Sequence, residues 1–134
     1  MKRYLAIIVL LLSLGSGSAH AENIDCANAS STVEINFCAE KDFQAADKTL
    51  NAAYEAALAS INGRDLEKPY DAKSFEAALR ASQRAWLAYR DADCKDLVAQ
   101  EWSAGSGTTS ASLGCMTEKT MQRTKELKER YGEH

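Results

Sequence analysis

Histidine and proline are scarce in this sequence of 134 residues, which contains two His and one Pro. His20 lies in a segment that we expect to be cleaved, and His134 is the last residue. The cleaved form therefore has a single imidazole. This excludes a Ser-His-Asp or Cys-His nucleophilic site and any metal site that needs two histidines. We expect no catalytic residues, no metal and no cofactor, and thus a protein that is not an enzyme.

The first 21 residues resemble a secretory signal peptide. Lys2 and Arg3 precede an apolar run over residues 5–14, and small residues then lead to Ala19-His20-Ala21. A run of ten residues is too short to span a bilayer. The position three residues before Cys26 is Asn23, where a lipobox requires Leu. We therefore expect residues 22–134 to form one domain that is exported to the periplasm without a membrane anchor.

The predicted mature chain is acidic. It keeps 14 Lys and Arg against 19 Asp and Glu, for a net charge of −5. This argues against nucleic acid as a partner, because binding to phosphates needs a basic surface. A cationic protein partner fits the charge better.

All four cysteines lie in the mature chain, and none is in a CxxC motif. An even number in a small exported domain indicates disulfides rather than zinc ligands. Three connectivities are possible. We expect the sequence-local pairing, Cys26–Cys38 with Cys94–Cys115, because it needs no long-range assumption.

The composition favours helices. Of the 113 mature residues, 20 are Ala and only five are Val or Ile, and Ala has the highest helix propensity. Ser31 and Glu34 match a capping box at the start of a helix to residue 62. Asp71 caps a second helix to residue 101, and a third covers residues 115–131. The uncharged, Gly- and Ser-rich segment 102–114 is predicted as a loop. We expect an all-α fold with an antiparallel hairpin of two long helices and a shorter third helix.

Polar residues interrupt the apolar faces of the two long helices. Asp47 lies between apolar residues of the first helix, and Arg90 and Gln83 share the inner side of the second with Trp86. In an antiparallel hairpin, Asp47 comes within reach of Arg90. We expect a partly buried Asp47–Arg90 pair whose remaining hydrogen bonds are made by Gln83. The alternative is a polar binding pocket at the same place.

Two further groups of residues are candidate functional sites. The 102–114 loop would be closed by the Cys94–Cys115 bridge, and a loop held at both ends loses little entropy on binding. The alternative is a flexible connector without a partner. The acidic pairs Glu34/Glu40 and Asp91/Asp93 could act as general acid and base, but nothing in the sequence indicates a raised pKa. Our candidate binding residues are those of the loop: Trp102, Ser103, Gly105, Ser106 and Gly107.

The ordered motifs of this chain resemble the lysozyme-inhibitor LprI-like family of exported bacterial proteins. The resemblance is carried by Cys26 and Cys38, by D-x-x-L-N-x-x-Y from Asp47, by Q-x-x-W-x-x-Y-R-D-x-x-C from Gln83, and by Cys115 with T-x-x-R-x-x-x-L from Thr120. It implies a helical, disulfide-bonded domain of the cell envelope, and some members inhibit lysozyme. Some relatives are lipid-anchored, which this sequence does not match.

Two functions follow as hypotheses. The first is a periplasmic inhibitor that blocks a cell-wall hydrolase, for example a cationic lysozyme, by non-covalent binding. The second is a general envelope domain that binds another protein, for example a toxin, without inhibiting lysozyme. The matching residues are mainly those predicted for the core and the bridges, so they do not identify the binding surface.

Overall fold

The computed structural model describes residues 24–132, so the predicted signal peptide lies outside the described residues. Helix α1 covers Thr32–Asn62 and helix α2 covers Ala72–Asp91. The second helix continues without a break through a π-helical segment, Ala92–Leu97, into the short helix α3, Val98–Glu101. Helix α4 covers Thr108–Tyr131. This part of the chain contains no strand, which confirms the all-α prediction.

Side-chain caps fix the starts of the first two helices. The backbone N–H of Ser31 donates to Glu34 Oε2 (2.9 Å), and the N–H of Glu34 donates to Ser31 Oγ (3.3 Å). At α2, Asp71 Oδ1 accepts from the N–H of Ser74 (2.9 Å). These bonds satisfy amide groups that the first turn of a helix leaves unpaired. Both caps were predicted from the sequence.

The π-helical segment keeps successive buried residues on the same face of the second helix. Arg90, Cys94 and Val98 are all buried and are separated by four residues each. In a regular α-helix, two such steps would rotate the side chain by about 80° around the axis. A π-helix has wider turns, so the same spacing stays on one face. Cys94 therefore faces α4, where it forms its bridge.

The helices run up, down and up. The segment 72–101 is antiparallel to α1, as predicted, and α4 returns parallel to α1 and packs most closely against it. The N-terminal half of α1 thus lies beside the π-helical segment and the start of α4. Both disulfides are at this end: Cys26–Cys38, and Cys94–Cys115. The predicted pairing is confirmed.

Two apolar clusters form the core. The larger is built around Leu50, Leu58, Ile61, Leu79 and Leu127. The smaller is at the disulfide-bridged end, where Phe43 packs against Cys94, Leu113 and Met116. Polar side chains from all three long helices lie between the two clusters. Within residues 24–132, no helix is both long and apolar enough to span a membrane.

Candidate functional site

The loop before α4 is shorter than the sequence predicts. The expected loop covered residues 102–114, but α4 begins at Thr108 and its first two turns continue to Cys115. Tertiary contacts stabilise these turns: Leu113 is buried, and Ser112 Oγ donates to the carbonyl of Cys94 (2.7 Å). Such contacts override the low helix propensity of the Thr, Ser and Gly residues. The loop itself consists of residues 102–107.

The 102–107 loop is a tight turn with a bonded backbone. Ser103 and Ala104 have φ values of 50° and 52°, and the N–H of Gly105 donates to the carbonyl of Trp102 (3.0 Å). Two successive positive φ angles around such a bond are typical of a type I′ turn. The N–H of Ala104 donates back to the carbonyl of Ala99 (3.0 Å). This region favours glycine, so each of the two side chains costs about 1–2 kcal/mol.

Trp102 is the largest exposed side chain of this loop. About half of it (51%) is accessible to solvent, and its ring lies over Gly107. A Cβ atom at Gly107 would come within 2.9 Å of Trp102 Cε3 and would displace the ring. The absence of a side chain at Gly107 therefore sets the position of the indole.

The other candidate residues of the loop, Ser103, Gly105 and Ser106, are exposed, and Gly107 is half-buried. The Cys94–Cys115 bridge lies beneath them, with Cys94 fully buried. The five predicted loop residues thus lie in one largely exposed turn between α3 and α4. It offers an uncharged surface with one aromatic side chain, which can contact a partner but carries no group for chemistry.

The candidate polar pair also comes together. Arg90, on α2, is buried. One terminal nitrogen of its guanidinium donates to Asp47 Oδ1 on α1 (3.2 Å) and to Thr120 Oγ1 on α4 (3.2 Å). Its Nε and its second terminal nitrogen both donate to Asp91 Oδ1 (3.1 Å). Arg90 therefore connects all three long helices between the two apolar clusters.

Two aromatic rings lie close to this guanidinium. The Cζ atom of Arg90 lies 5.2 Å from the ring centre of Phe43 and 5.3 Å from that of Trp86. Planar guanidinium groups stack favourably on aromatic rings, especially when shielded from water. The Arg90 side chain is buried, and its nitrogen atoms are hydrogen-bonded to Asp47, Asp91 and Thr120, which favours a structural role over a binding pocket.

Gln83 forms its hydrogen bond with Arg123 rather than with Arg90. Its Oε1 accepts from Nε of Arg123 (3.1 Å), a second buried arginine, on α4. Arg123 also donates to Ser82 Oγ (3.2 Å) and to Glu126 Oε2 (2.8 Å). The expected role of Gln83 in completing the bonds of Arg90 is therefore wrong, because Gln83 points towards α4. Thr120 and Asp91 fill that role.

The acidic pairs considered as a general acid and base are engaged in other contacts. Burial raises the pKa of Asp91, but hydrogen bonds from Lys95 and Arg90 lower it below its ordinary value overall. Backbone hydrogen bonds at Ser31 lower the pKa of Glu34. Asp93 forms an ion pair with Lys119 (3.0 Å). A general acid needs a raised pKa, so these two shifts have the wrong sign for that role.

An open groove runs between α1 and α4 on the side away from α2, and the sequence analysis did not identify it. Its main pocket has a volume of about 680 Å³. Small residues and the largely exposed Met121 line it together with four charged residues, Asp42, Lys125, Lys128 and Glu129. The only sequence signal is a row of small residues on α1, namely Ala45, Thr49, Ala52 and Ala56. In an Ala-rich helix, such a row is also expected from helix propensity alone.

Comparison with known proteins supports the resemblance noted in the sequence. The model of the family described as "Lysozyme inhibitor LprI" matches residues 25–127. The chain belongs to the LprI family. This match covers every described helix up to the last turn of α4. It includes both disulfides and the two buried arginines, Arg90 and Arg123. The family description indicates an inhibitor-like protein with a protein partner.

Two curated relatives of this LprI-family chain are similar over most of their length. The uncharacterized protein R02472 of Rhizobium meliloti is 36% identical over 127 residues, covering 92% of this chain and 91% of the relative. The uncharacterized protein YecT of Escherichia coli K12 is 28% identical over 143 residues, covering 90% and 87%. No solved structure matches the chain significantly.

Proposed function

We propose that this protein is a periplasmic, lysozyme-inhibitor-like protein that binds a cell-wall hydrolase non-covalently and blocks its cleft. The observation that carries the proposal is the 102–107 loop, in which an exposed Trp102 stands on a turn fixed at both ends. The LprI family match supports the class of function. Export rests on the signal-like residues 1–21.

The loop suits insertion into a cleft because little of it must be ordered on binding. The turn is held by the hydrogen bonds of Ala104 and Gly105, and α4 starts directly after it. A partner that binds a preformed turn avoids the entropy cost of ordering the turn. Tryptophan is also among the residues that most often dominate binding energy at protein interfaces.

The charge of the protein supports a basic partner. With a net charge of −5 over residues 22–134, the protein would attract a cationic lysozyme and accelerate their encounter. Because the loop itself is uncharged, it can enter a cleft without a desolvation penalty for buried charges.

The groove between α1 and α4 favours a second candidate function. A groove of about 680 Å³ with small residues and Met121 on its walls and charged residues along it is suited to binding a helix or an extended segment of another protein. In that case the protein is an envelope binding domain, for example one that neutralises a toxin, and does not inhibit lysozyme.

A lysis assay tests the first proposal. A purified basic lysozyme is mixed with cell-wall substrate and increasing amounts of the cleaved, oxidised protein. We expect stoichiometric loss of lysis, and about 30-fold lower potency for Trp102→Ala. Ser106→Ala should weaken inhibition less.

Tyr70→Ala is the matched control, because Tyr70 is an exposed aromatic residue at the opposite end of the bundle. Unchanged lysis at a large molar excess of the wild-type protein contradicts the inhibitor proposal. Full potency of Trp102→Ala would move the contact away from the loop and favour the α1–α4 groove.

A further inference from the structure

Charge is distributed very unevenly along the bundle. We define the disulfide end as residues 24–42 and 91–119, which hold both bridges, the first turns of α1 and α4, and the 102–107 loop. These residues include nine Asp and Glu but only three Lys and Arg. The remaining described residues include eight acidic and eleven basic side chains. The disulfide end therefore has a net charge of −6, and the rest of the described chain has a net charge of +3.

Large apolar side chains are exposed at the same end. Nine large apolar residues of the described chain are exposed, and five of them belong to the disulfide end: Val33, Ile35, Phe37, Leu97 and Trp102. Val33 is the most exposed of the five, at 74%. Val33 and Phe37 are one turn apart on α1 and share a face, so a protein partner can bury both together.

The 102–107 loop alone is too small for a stable complex. A standard interface takes about 20–30 residues from each partner, several times the length of this loop. The first turn of α1 and the short helix α3 extend from the same end of the bundle as the loop. Together they supply the additional area that the loop lacks.

We infer that the whole disulfide end is the docking surface and that its partner is a basic protein with a cationic rim around a cleft. The inference rests on the proposed function and deepens it, because it fixes which end docks. The acidic end faces the cationic rim, whereas the rest of the described chain, with its net charge of +3, is not attracted to it. This uneven distribution of charge along the bundle orients the protein before contact, which raises the association rate. Nucleic acids and anionic membranes would be repelled by the docking end.

Association kinetics with a purified basic lysozyme on a biosensor test this inference. The test variant, Asp96→Lys with Glu101→Lys, removes acidic charge at the disulfide end. The control variant, Glu55→Lys with Glu67→Lys, makes the same change in total charge elsewhere on the bundle. All four side chains are exposed. We expect the test variant to associate about tenfold more slowly at low salt and to depend less on ionic strength. The control should stay within twofold of the wild type.

The apolar part is tested through dissociation. Val33→Ser should dissociate about tenfold faster, because it removes a side chain that is buried only in the complex. Tyr70→Ser, at the opposite end, should dissociate like the wild type. Circular dichroism establishes that each variant is folded.

The outcomes separate this inference from the proposed function. If the protein inhibits lysis but the two double variants change the association rate equally, the choice of the disulfide end is wrong. The inhibitor function is then still supported. Binding that shows the expected asymmetry but does not inhibit lysis supports the docking end and refutes the inhibitor function. Absence of any binding to the lysozyme overturns both.

Discussion

Replacement of Arg90 by alanine should strongly destabilise the protein. The Arg90 side chain is only 8% exposed, and it connects Asp47 on α1, Asp91 on its own helix and Thr120 on α4. Removing one partner of a buried ion pair costs about 3–5 kcal/mol when the other partner stays buried. In this case Asp47 and Asp91 are 38% and 40% exposed, so water can partly replace the lost contacts.

Packing adds to the cost of Arg90→Ala. The substitution also removes the cation–π contacts with Phe43 and Trp86, worth about 1–2 kcal/mol together, and leaves a cavity where the buried side chain was. We therefore expect a loss of about 3–5 kcal/mol. Asp47→Ala should cost less, about 1–2 kcal/mol, because Arg90 keeps its bonds to Asp91 and Thr120.

Urea unfolding followed by circular dichroism measures these changes. For an m value of about 1.5 kcal/mol/M, Arg90→Ala should lower the midpoint by about 2–3 M. Arg84→Ala is the control, because it removes the same charge from an exposed position of α2. If Arg90→Ala lowers the midpoint no more than Arg84→Ala does, the assignment of Arg90 as the structural link between the helices is refuted.

Three further predictions concern pH, the loop and a disulfide. Because the pKa of Asp91 is lower in the folded state, its contribution to stability is present above about pH 4 and is lost as the pH falls through the folded-state pKa. Asp91→Asn should therefore lose less stability than the wild type between pH 5 and pH 2, and parallel curves would contradict this. Ala104→Gly should raise the free energy of unfolding by about 1 kcal/mol, since φ is 52°, whereas Ala81→Gly within α2 should lower it by about 0.5–1 kcal/mol. A decrease for Ala104→Gly in urea melts would argue against strain in the turn. Replacing Cys94 and Cys115 together by Ala should cost about 3 kcal/mol for their 21-residue separation, and an unchanged urea midpoint would refute this.

Features that depend on neighbouring residues could be predicted from the sequence. The capping residues Ser31 and Asp71 act within one turn, so the starts of α1 and α2 are encoded locally. The two disulfides join cysteines that are close in sequence, so their pairing could be predicted without knowledge of the tertiary fold. The contact of Asp47 with Arg90 follows from the antiparallel direction of two helices joined by a short connector.

Features that depend on the third helix could not be predicted in the same way. The start of α4 at Thr108 results from the packing of Leu113 and the bridge at Cys115, which outweigh weak local propensity. Gln83 lies on the inner side of α2, but its spacing does not tell whether it faces α1 or α4. The groove arises because α4 packs along one side of α1 and leaves the adjacent side open.

The parallel course of α1 and α4 places Cys26 and Tyr131 towards opposite ends of the bundle, since Cys26 is bridged to Cys38 in the first turns of α1 whereas Tyr131 packs in the core cluster that contains Ile61. A tag or fluorophore joined after Tyr131 would therefore sit far from the bridges and the tryptophan turn. The same group joined before Cys26 would sit beside them. Attachment through the C-terminus is thus the choice that leaves the acidic end accessible to a partner.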